Sequence, residues 1–445
     1  MTKLDQYKSA QHPLPDKMLK WHFYGEGLDS LQVEEVPVPS YGPDELLVRQ
    51  DACGLCFSDT KVIALGENHP RMAGRNLREN PVTLGHEVSC TVVGVGENLK
   101  HSFKVGDRFI IQADVFYKGV SMAYGYAISG GLAEYSVIPH SMIAGDEGCY
   151  LLPIRPDAGY VETALVEPWA CVVAAYNQAH RPSIRPGGRM LVIGGESAGA
   201  MDWTGVISPE QHPVHVTLVG GDALLARDLA EMMSGRGGLT VLGENPDWAG
   251  LKAEQTNGNG FDDILILGAV PAETVEAAAA TLANHGVMNL VGAYEFPRKL
   301  SLDIGRIHYN WHHYVGTSTN RIADGYVENR TADLVAGGTA WFIGAGGPMG
   351  QMHVQRAVQH PRPPRRIVAT DIDAERLQSV ADRFGTEAAA RGVELVTLNP
   401  KEMPPEAFDM ELERLTDGHG FDDIVSLVPI PAIIEHAAGF LADGG

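Results

Sequence analysis

The N-terminal part of the chain, up to about residue 155, contains short apolar runs bounded by Gly, Pro and Asp. Representative runs are residues 46–49, 88–95 and 109–112, and no long helical periodicity passes through this part. Short, closely spaced strands are typical of antiparallel barrels, so we predict a barrel-like domain here. The pattern changes near residue 160. Residues 161–180 have apolar positions at helical spacing, and RPSIRPGG at 181–188 then interrupts the chain.

From residue 190 onward, short buried-strand runs alternate with helical segments. The predicted strands are residues 190–195, 215–221, 239–246, 261–270 and 287–294. Helical patterns lie between them, notably in ALLARDLAEMM and AETVEAAAATLANHG. Because strands that alternate with helices form parallel sheets covered on both faces, this pattern predicts a doubly wound α/β fold.

The α/β pattern occurs twice. Five segments of the first copy have counterparts in the same order in the second copy. The first copy has MLVIGG, GGDALLARDLAEM, LTVLGENP, GFDDILILG and ATLANHG, and the second has AWFIGAGG, DIDAERLQSVADRF, VELVTLNP, GFDDIVSLV and GFLADGG. The matched landmarks are Gly194 and Gly344, Asp222 and Asp373, Asn245 and Asn399, and Phe261 and Phe421. We therefore predict two tandem Rossmann-like sheets. The second copy stops where the first still has VMNLVGAY, so either the chain is a fragment, which the abrupt end favours, or the second sheet lacks that strand.

Charge and cysteine content narrow the function classes. The chain of 445 residues has 34 basic and 56 acidic side chains, a net charge of −22, and this field repels nucleic-acid phosphates and anionic lipid. The sequence contains neither an apolar run of about 20 residues nor an N-terminal apolar signal core, so we expect no membrane partner. The five cysteines are too scattered for a disulfide framework, which favours a reducing cytoplasm.

A glycine-rich turn in the second copy has the features of a dinucleotide site. Strand AWFIG runs into a turn formed by Gly344, Gly346, Gly347 and Gly350. Such glycines let backbone amides at a helix N-terminus approach a pyrophosphate. Asp371 ends the next strand, 21 residues after Gly350, where an acid binds the adenosine ribose hydroxyls. The glycine spacing is one residue longer than G-x-G-x-x-G, a departure offset by the flanking strand, helix and acid.

The first copy has a poorer turn. Its sequence GGESAGAMDW puts Glu196 where a glycine would admit phosphate, and like-charge repulsion disfavours a pyrophosphate there. Alignment of the two copies puts Gly220, not an acid, opposite Asp371. We therefore assign the cofactor to the second copy. Two alternatives stay open: a site in the first copy at Gly194, Gly195 and Gly199, or turns that are only tight strand–helix connections.

The N-terminal part offers metal-ligand chemistry. Cys56 lies in CGLCFSD, His86 and Glu87 in LGHE, and Glu167 in VEPWAC. A thiolate, an imidazole and a carboxylate from separate elements can form a three-ligand zinc site with an open position, although each residue alone is more commonly structural. Cys53 and Cys56 form a CxxC, but no second CxxC follows, so a four-cysteine zinc knot is not supported.

At these segments the chain resembles the medium-chain, zinc-dependent alcohol and polyol dehydrogenases. CGLCFSDTK is similar to the family's catalytic-cysteine segment, and NPVTLGHEVSCTVVGVGENLKHSFKVGDRF to its Gly-His-Glu segment. SGGLAEYSVIP and TALVEPWACVVAAY match later landmarks, so the resemblance covers about residues 30–320 and also the second glycine turn. ENPVTLGHE, YKGVSMAYGY and IHYNWHHYVGTSTN most resemble the sorbose-1-phosphate reductase group, which reduces a ketose phosphate to a polyol phosphate.

The resemblance implies roles for individual residues. The implied zinc ligands are Cys56, His86 and Glu167, the last of which alternatively holds the zinc-bound water. The implied catalytic side chains are Ser58, which exchanges the substrate proton, Asp59, which orients the cluster, Glu87, in or beside the coordination sphere, and Lys61. Lys61 stands where the family often has a proton-relay His, so either the relay is shorter or Lys61 binds an anionic substrate. The family's four-cysteine structural zinc lobe is missing, so we expect one catalytic zinc and no structural zinc.

The resemblance also implies a domain order. We expect a GroES-like catalytic zinc domain at 1–185 and a first Rossmann-like domain with a degenerate glycine turn at 186–294. A connecting segment at 295–336 follows. The chain ends in a second Rossmann-like, dinucleotide-binding domain at 337–445, which we expect to be incomplete. Family analogy implies a homo-oligomer.

The expected activity is hydride transfer between a nicotinamide cofactor and a polyol or ketose, with a sugar phosphate such as sorbose 1-phosphate as a candidate. For a phosphate, Arg71, Arg75 and Arg78, with Lys61, form a candidate clamp, whose alternative is a solvated loop. Asp371 favours NAD because a carboxylate repels the 2′-phosphate of NADP, whereas three nearby arginines (365, 366 and 376) leave NADP open. The alternative function is a non-catalytic dinucleotide or sugar-phosphate sensor on the same fold.

Overall fold

A computed structural model of the protein describes residues 2–9, 12–72, 74–179, 181–326 and 331–445. Residue 180 of the predicted helix, residue 73 of the arginine-rich segment and residues 327–330 of the predicted connecting segment lie outside the described residues. The chain forms two compact units. One comprises Met1–Val173 and Gly347–His353, and the other comprises Ala174–Gly346 and Val354–Gly445. Among the described residues, none of the helices combines the length and the apolar character that a membrane span requires.

The strands and helices are numbered in chain order. The strands are β1 (Lys17–Phe23), β2 (Leu31–Pro37), β3 (Leu46–Gly54), β4 (Glu87–Val95), β5 (Arg108–Ile111), β6 (Phe116–Tyr117), β7 (Val120–Ser121), β8 (Tyr135–Ile138), β9 (Leu151–Pro153), β10 (Arg189–Gly194), β11 (His215–Gly220), β12 (Gly238–Leu242), β13 (Phe261–Leu267), β14 (Leu282–Val291), β15 (His313–Thr317), β16 (Thr339–Ile343), β17 (Arg366–Thr370), β18 (Glu394–Leu398) and β19 (Asp423–Ser426). The α-helices are α1 (Lys3–Ser9), α2 (Phe57–Leu65), α3 (His140–Ile143), α4 (Tyr160–Ala164), α5 (Val166–Ala175), α6 (Ala223–Met233), α7 (Trp248–Thr256), α8 (Ala272–Ala279), α9 (Gly305–Tyr309), α10 (Pro348–Gln359), α11 (Ala374–Ala390), α12 (Pro405–Leu415) and α13 (Pro431–Ala438).

The N-terminal unit is built on an antiparallel sheet with the order β8-β3-β4-β5-β9. Alternate residues of β3 point into its core, where Leu46 pairs with Ile138 and Val48 pairs with Val92. All four side chains are fully buried. Two-stranded ribbons, β1–β2 and β6–β7, complete the strands of this unit. The antiparallel, β-rich character predicted from the short apolar runs is confirmed.

The first α/β sheet lies in the second unit and has the parallel order β12-β11-β10-β13-β14-β15. Successive residues of its central strand β10 enter two different cores. Val192 packs in a cluster with Leu225 of α6, and Ile193 packs in a cluster with Val275 of α8. Both faces of the sheet are therefore buried, which confirms the doubly wound prediction.

Two details of this sheet differ from the sequence prediction. The helical pattern extended through AETVEAAAATLANHG, but α8 ends at Ala279 and β14 begins at Leu282, because Leu282 pairs with Phe261 of β13. The segment predicted to be connecting, 295–336, contains β15, which pairs in parallel with β14 and becomes the sixth strand.

The second α/β sheet has the parallel order β18-β17-β16-β19 in the described residues. One of its cores centres on Trp341 of β16, which packs against Phe408 of α12 and Phe421 beside β19. The indole Nε1 donates a hydrogen bond of 2.9 Å to Thr370 Oγ1, so this polar group is satisfied in the core. The predicted tandem pair of parallel sheets is thus confirmed.

The repeated Phe-Asp-Asp sequence performs the same structural task in both sheets. The Asp262 carboxylate accepts a hydrogen bond of 2.8 Å from the Arg189 amide at the start of β10. Asp422 accepts one of 2.7 Å from the Thr339 amide at the start of β16. The next acid in each copy accepts a hydrogen bond from a backbone amide before the strand: Asp263 accepts from Arg185 N, and Asp423 accepts from Val335 N. The internal repeat in the sequence therefore reflects repeated backbone capping.

Candidate functional site

The candidate metal centre begins at the N-terminus of α2. Cys56 is the N-cap residue of this helix, directly after β3. The Asp59 carboxylate accepts a hydrogen bond of 3.0 Å from the Cys56 backbone amide, which closes the first turn of the helix. Asp59 is 5% exposed. The short segment after β3 thus presents a half-buried thiol and a buried carboxylate in one turn.

His86 and Glu87 reach the same place from β4. Glu87 is the first residue of β4 and pairs with Gly54, the last residue of β3. A Cβ at Gly54 would lie 2.1 Å from Glu87 Oε2, so the absence of a side chain at residue 54 makes room for the carboxylate. Gly85, with a φ of +94°, turns the chain into His86. Both His86 and Glu87 are buried.

The three side chains converge on one point. Cys56, His86 and Glu87 each place one possible ligand atom within 4.8 Å of the other two. Among the described residues, no other set of three or more His, Cys, Asp or Glu side chains comes together in this way. A sulfur, an imidazole nitrogen and a carboxylate oxygen at this spacing are a donor set that Zn²⁺ prefers. The residues present therefore fit a zinc ion.

The charges around His86 also fit a cation. His86 Nδ1 lies 3.6 Å from Asp59 Oδ1. Burial acts to lower the pKa of His86, but hydrogen bonding and charge from Asp59 and Cys56 outweigh it and raise the pKa to about 10. Burial raises the pKa of Glu87, with a smaller contribution of the same sign from Asp59. The cluster thus favours a positive charge at its centre, as a metal ion would supply.

Glu167, predicted as the third ligand, lies in the first turn of α5 and is partly buried. Burial raises its pKa, and the charges of His86, Glu87 and Asp59 also act on it. Glu167 is therefore within electrostatic reach of the cluster, but it is outside the group of atoms within 4.8 Å. Its role as a ligand stays a prediction, and Glu87 occupies the nearer position.

Ser58 and Lys61 lie on α2, two and five residues after Cys56. The half-buried Ser58 hydroxyl accepts a hydrogen bond of 3.1 Å from the Tyr126 hydroxyl. Lys61 is exposed, and its ammonium lies 5.6 Å from the Phe57 ring centroid. Sequence reasoning did not select Tyr126, although it ends the segment YKGVSMAYGY, which carried part of the family resemblance.

The three arginines of the predicted clamp have different environments. Arg71 pairs with Asp114 at 3.0 Å and lies 5.1 Å from the centroid of the Tyr126 ring. Arg75 donates hydrogen bonds to the carbonyl oxygens of Tyr126 and Ala127, so its guanidinium supports that loop. Arg78 is exposed.

His69, which the sequence did not indicate, stacks on Tyr126 with ring centroids 6.0 Å apart. Burial, followed by the charges of Arg71 and Lys61, lowers the pKa of His69. Arg71 and Lys61 are therefore both within electrostatic reach of His69.

The second glycine turn connects β16 to α10. Gly344 follows β16 with a φ of +80°, Gly347 immediately precedes α10, and Gly350 lies in the first turn of that helix. The Asp371 carboxylate accepts hydrogen bonds from Gly346 N at 2.9 Å and from Asp373 N at 3.0 Å. A Cβ at Gly346 would lie 2.9 Å from Asp371 Oδ2, so this close approach needs glycine. Strand, turn, helix and acid fit a bound dinucleotide.

In the described residues, no α-helix directly follows the first glycine turn. After β10, Glu196 forms a bridge with Ala269, and the residues that follow form only a 3₁₀ turn at Ala198–Ala200. The next α-helix, α6, begins after β11. Dinucleotide phosphates commonly bind at the N-terminus of a helix directly after the first strand, and in the described residues no α-helix stands at that position of the first copy. A cofactor site at Gly194, Gly195 and Gly199 stays an untested alternative.

Comparison with known proteins agrees with this architecture. The alcohol dehydrogenase GroES-like domain matches residues 42–145, which confirms the predicted N-terminal fold. The chain is 32% identical over 322 residues to mannitol-1-phosphate 5-dehydrogenase of Aliivibrio fischeri, covering 67% of this chain and 74% of that protein. It is also 32% identical over 317 residues to the uncharacterized protein YggP of Escherichia coli, covering 66% and 72%. Identity to the L-sorbose 1-phosphate reductase of Klebsiella pneumoniae is 28% over 329 residues, covering 67% and 75%.

The fold, the cysteine–histidine–glutamate centre and these relatives define a class of oxidoreductase. The chain belongs to the medium-chain, zinc-dependent alcohol and polyol dehydrogenase family. Within that family, its similarity is to dehydrogenases and reductases of polyols and sugar phosphates.

Proposed function

We propose that the protein catalyses the reversible reduction of a ketose phosphate to a polyol phosphate, with zinc and a nicotinamide cofactor. The observation that carries this proposal is the convergence of Cys56, His86 and Glu87 ligand atoms within 4.8 Å of one another. A zinc ion bound there supplies Lewis acidity to the carbonyl or carbinol oxygen.

The residues around this centre have separate tasks in the proposal. Cys56 and His86 hold the metal, and a carboxylate, Glu87 or Glu167, completes the protein ligands. Asp59 lies 3.6 Å from His86 Nδ1 and orients the imidazole, as outer carboxylates do at zinc sites. Ser58 gives a proton to the substrate oxygen in reduction and regains one from solvent, and in oxidation both transfers run in reverse.

The cofactor site is proposed at the second glycine turn. The amides at the N-terminus of α10 bind the pyrophosphate, and the Asp371 carboxylate accepts hydrogen bonds from the adenosine ribose hydroxyls. The carboxylate already accepts from two backbone amides, which supports a fixed position at the end of β17. The bound nicotinamide supplies the hydride chemistry.

A phosphorylated substrate is supported by two kinds of observation. The similar proteins from A. fischeri and K. pneumoniae are named for sugar-phosphate substrates. In this chain, Lys61 and Arg71 each act electrostatically on His69, which stacks on Tyr126 beside Ser58. Exposed basic groups near a proposed catalytic hydroxyl suit a phosphate at the other end of a sugar chain.

The test compares a free ketose with its 1-phosphate in the purified, zinc-containing protein. We expect the phosphate to be preferred in kcat/KM, and Lys61→Met to raise KM for the phosphate while leaving the rate with the free ketose unchanged. Lys104→Met, which removes another exposed lysine of the N-terminal unit outside the predicted clamp, is the matched control and should leave both rates unchanged. Equal rates on the free and phosphorylated sugars would show that the protein does not select a phosphorylated substrate. Absence of any zinc-dependent turnover would show that the protein is not the proposed enzyme.

A further inference from the structure

Tyr126 is a buried side chain whose hydroxyl meets the proposed catalytic serine. It is 6% exposed, and its hydroxyl donates a hydrogen bond of 3.1 Å to Ser58 Oγ. Ser58 is on α2 and Tyr126 is on the loop after β7, so the contact joins two separate segments of the N-terminal unit. Neither the sequence motifs nor the named relatives assign a role to this tyrosine.

The tyrosine is held in position from several sides. Its ring centroid lies 6.0 Å from that of His69 and 5.8 Å from that of His86, and the Arg71 guanidinium lies 5.1 Å away. The backbone carbonyl of Tyr126 accepts a hydrogen bond of 2.7 Å from Arg75. The phenol is therefore fixed beside the metal-binding histidine.

The backbone before Tyr126 also requires a specific residue. Gly125 has a φ of +81°, and a Cβ there would lie 3.1 Å from the backbone of Gly85, the residue before His86. This close approach ties the tyrosine loop to the segment that carries the metal-binding histidine. The relative position of Tyr126 and the metal centre is thus set by backbone packing as well as by side chains.

The direction of the hydrogen bond determines what Ser58 can do. A serine hydroxyl has one hydrogen to donate and two lone pairs that accept. Because Ser58 Oγ accepts from Tyr126, the hydrogen of Ser58 is left to point away from the tyrosine. A tyrosine phenol carries its hydrogen at neutral pH, so Tyr126 can act as the donor in this bond.

We propose that Tyr126 is a positioning residue that orients the Ser58 hydroxyl so that its hydrogen is donated to the substrate oxygen. This inference rests on the proposed function, since it needs Ser58 to act on the substrate. It also gives the arginine-rich segment a structural task, because Arg75 donates a hydrogen bond to the backbone carbonyl of Tyr126.

The test is a double-mutant cycle with Tyr126→Phe and Ser58→Ala in the zinc-containing protein. Tyr126→Phe removes only the hydroxyl and keeps the ring that packs on His69 and His86. We expect kcat for ketose 1-phosphate reduction to fall about 3- to 10-fold, the range for loss of one neutral hydrogen bond, with KM unchanged. In the Ser58→Ala background, Tyr126→Phe should cause no further loss, because there is then no hydroxyl to orient.

Two measurements that do not depend on turnover accompany the cycle. Zinc content per chain and the thermal midpoint should match the wild type in Tyr126→Phe, which separates positioning from a structural defect. Should that variant fold poorly, Arg75→Gln, which loosens the Tyr126 loop without removing the phenol, provides the same cycle with Ser58→Ala. Its loss of kcat should likewise vanish in the Ser58→Ala background.

The outcomes separate this inference from the function on which it rests. Full activity of Ser58→Ala would overturn both the serine role and the tyrosine role. Impaired Ser58→Ala with wild-type kcat in Tyr126→Phe would overturn the tyrosine role alone. Multiplicative losses in the double variant would also overturn it, since Tyr126 would then act independently of Ser58.

Discussion

Substitution of Asp371 by Asn tests which of the two α/β copies binds the cofactor. In the structure the carboxylate accepts hydrogen bonds of 2.9 and 3.0 Å from Gly346 N and Asp373 N, so it is fixed at the turn after β16. In the proposal the same carboxylate accepts from the ribose hydroxyls of NAD. Hydrogen bonds to a charged group contribute about 1.5–3 kcal/mol, and 1.4 kcal/mol is tenfold in affinity. Asp371→Asn should therefore weaken NADH binding by about 10- to 150-fold.

The assay is fluorescence titration of NADH and NADPH against the wild type, Asp371→Asn and a control, Glu196→Gln. NADPH affinity should fall less than NADH affinity or should rise, because the substitution removes the charge that repels a 2′-phosphate. Glu196→Gln changes the acid in the first glycine turn and should leave both affinities unchanged. Unchanged NADH binding in Asp371→Asn, together with tighter binding in Glu196→Gln, would show that the first copy holds the cofactor and would refute the assignment.

Two further predictions concern stability of the first α/β sheet. Asp263 is 2% exposed, pairs with Arg181 at 3.2 Å and accepts hydrogen bonds from the Tyr326 hydroxyl and the Arg185 amide. Because Asp263→Ala leaves the Arg181 guanidinium without its carboxylate, it should lower the free energy of unfolding by about 3 kcal/mol, and a loss below about 1 kcal/mol in urea unfolding would contradict this role. His312 is 1% exposed, and burial, followed by the charges of Arg306 and Lys252, lowers its pKa to about 4. Because the unfolded chain then binds the proton more tightly, stability should fall by about 2 kcal/mol between pH 7 and pH 5 on account of this residue. His312→Leu should flatten that dependence, and an unaltered pH profile would count against it.

The residues that could be predicted from sequence are those with strong local patterns. The strands around Val192 and Trp341 are short apolar runs between turns, and such runs predict buried parallel strands. The Phe-Asp-Asp repeat was detectable because both copies use the same carboxylates to cap the start of a central strand. The family resemblance implied Cys56 and His86 as ligands, since nothing in their spacing alone brings residue 56 next to residue 86. It implied Glu167 as the third ligand and Glu87 only in or beside the coordination sphere, whereas the structure places Glu87 in the cluster with Cys56 and His86.

The features that could not be predicted from the sequence depend on contacts between residues far apart in the chain. The strand β15 has only five residues and gains its stability from pairing with β14, so its own sequence gives a weak signal. Tyr126 lies 68 positions from Ser58, and a single sequence gives no information on so distant a contact. The missing helix after the first glycine turn was not predicted either, because GGESAGAMDW has no proline that would exclude a helix.

The proposed metal centre is tested by measuring the zinc content of the purified protein and of two cysteine variants. Cys53 is the matched control because it lies three residues before Cys56, and burial raises the pKa of its thiol to about 12, which disfavours the thiolate that metal binding needs. We expect one zinc per chain in the wild type and in Cys53→Ala, and loss of both zinc and turnover in Cys56→Ser. If Cys56→Ser kept both zinc and turnover, Cys56 and His86 would not hold the catalytic metal with a glutamate, and the proposed mechanism would be wrong.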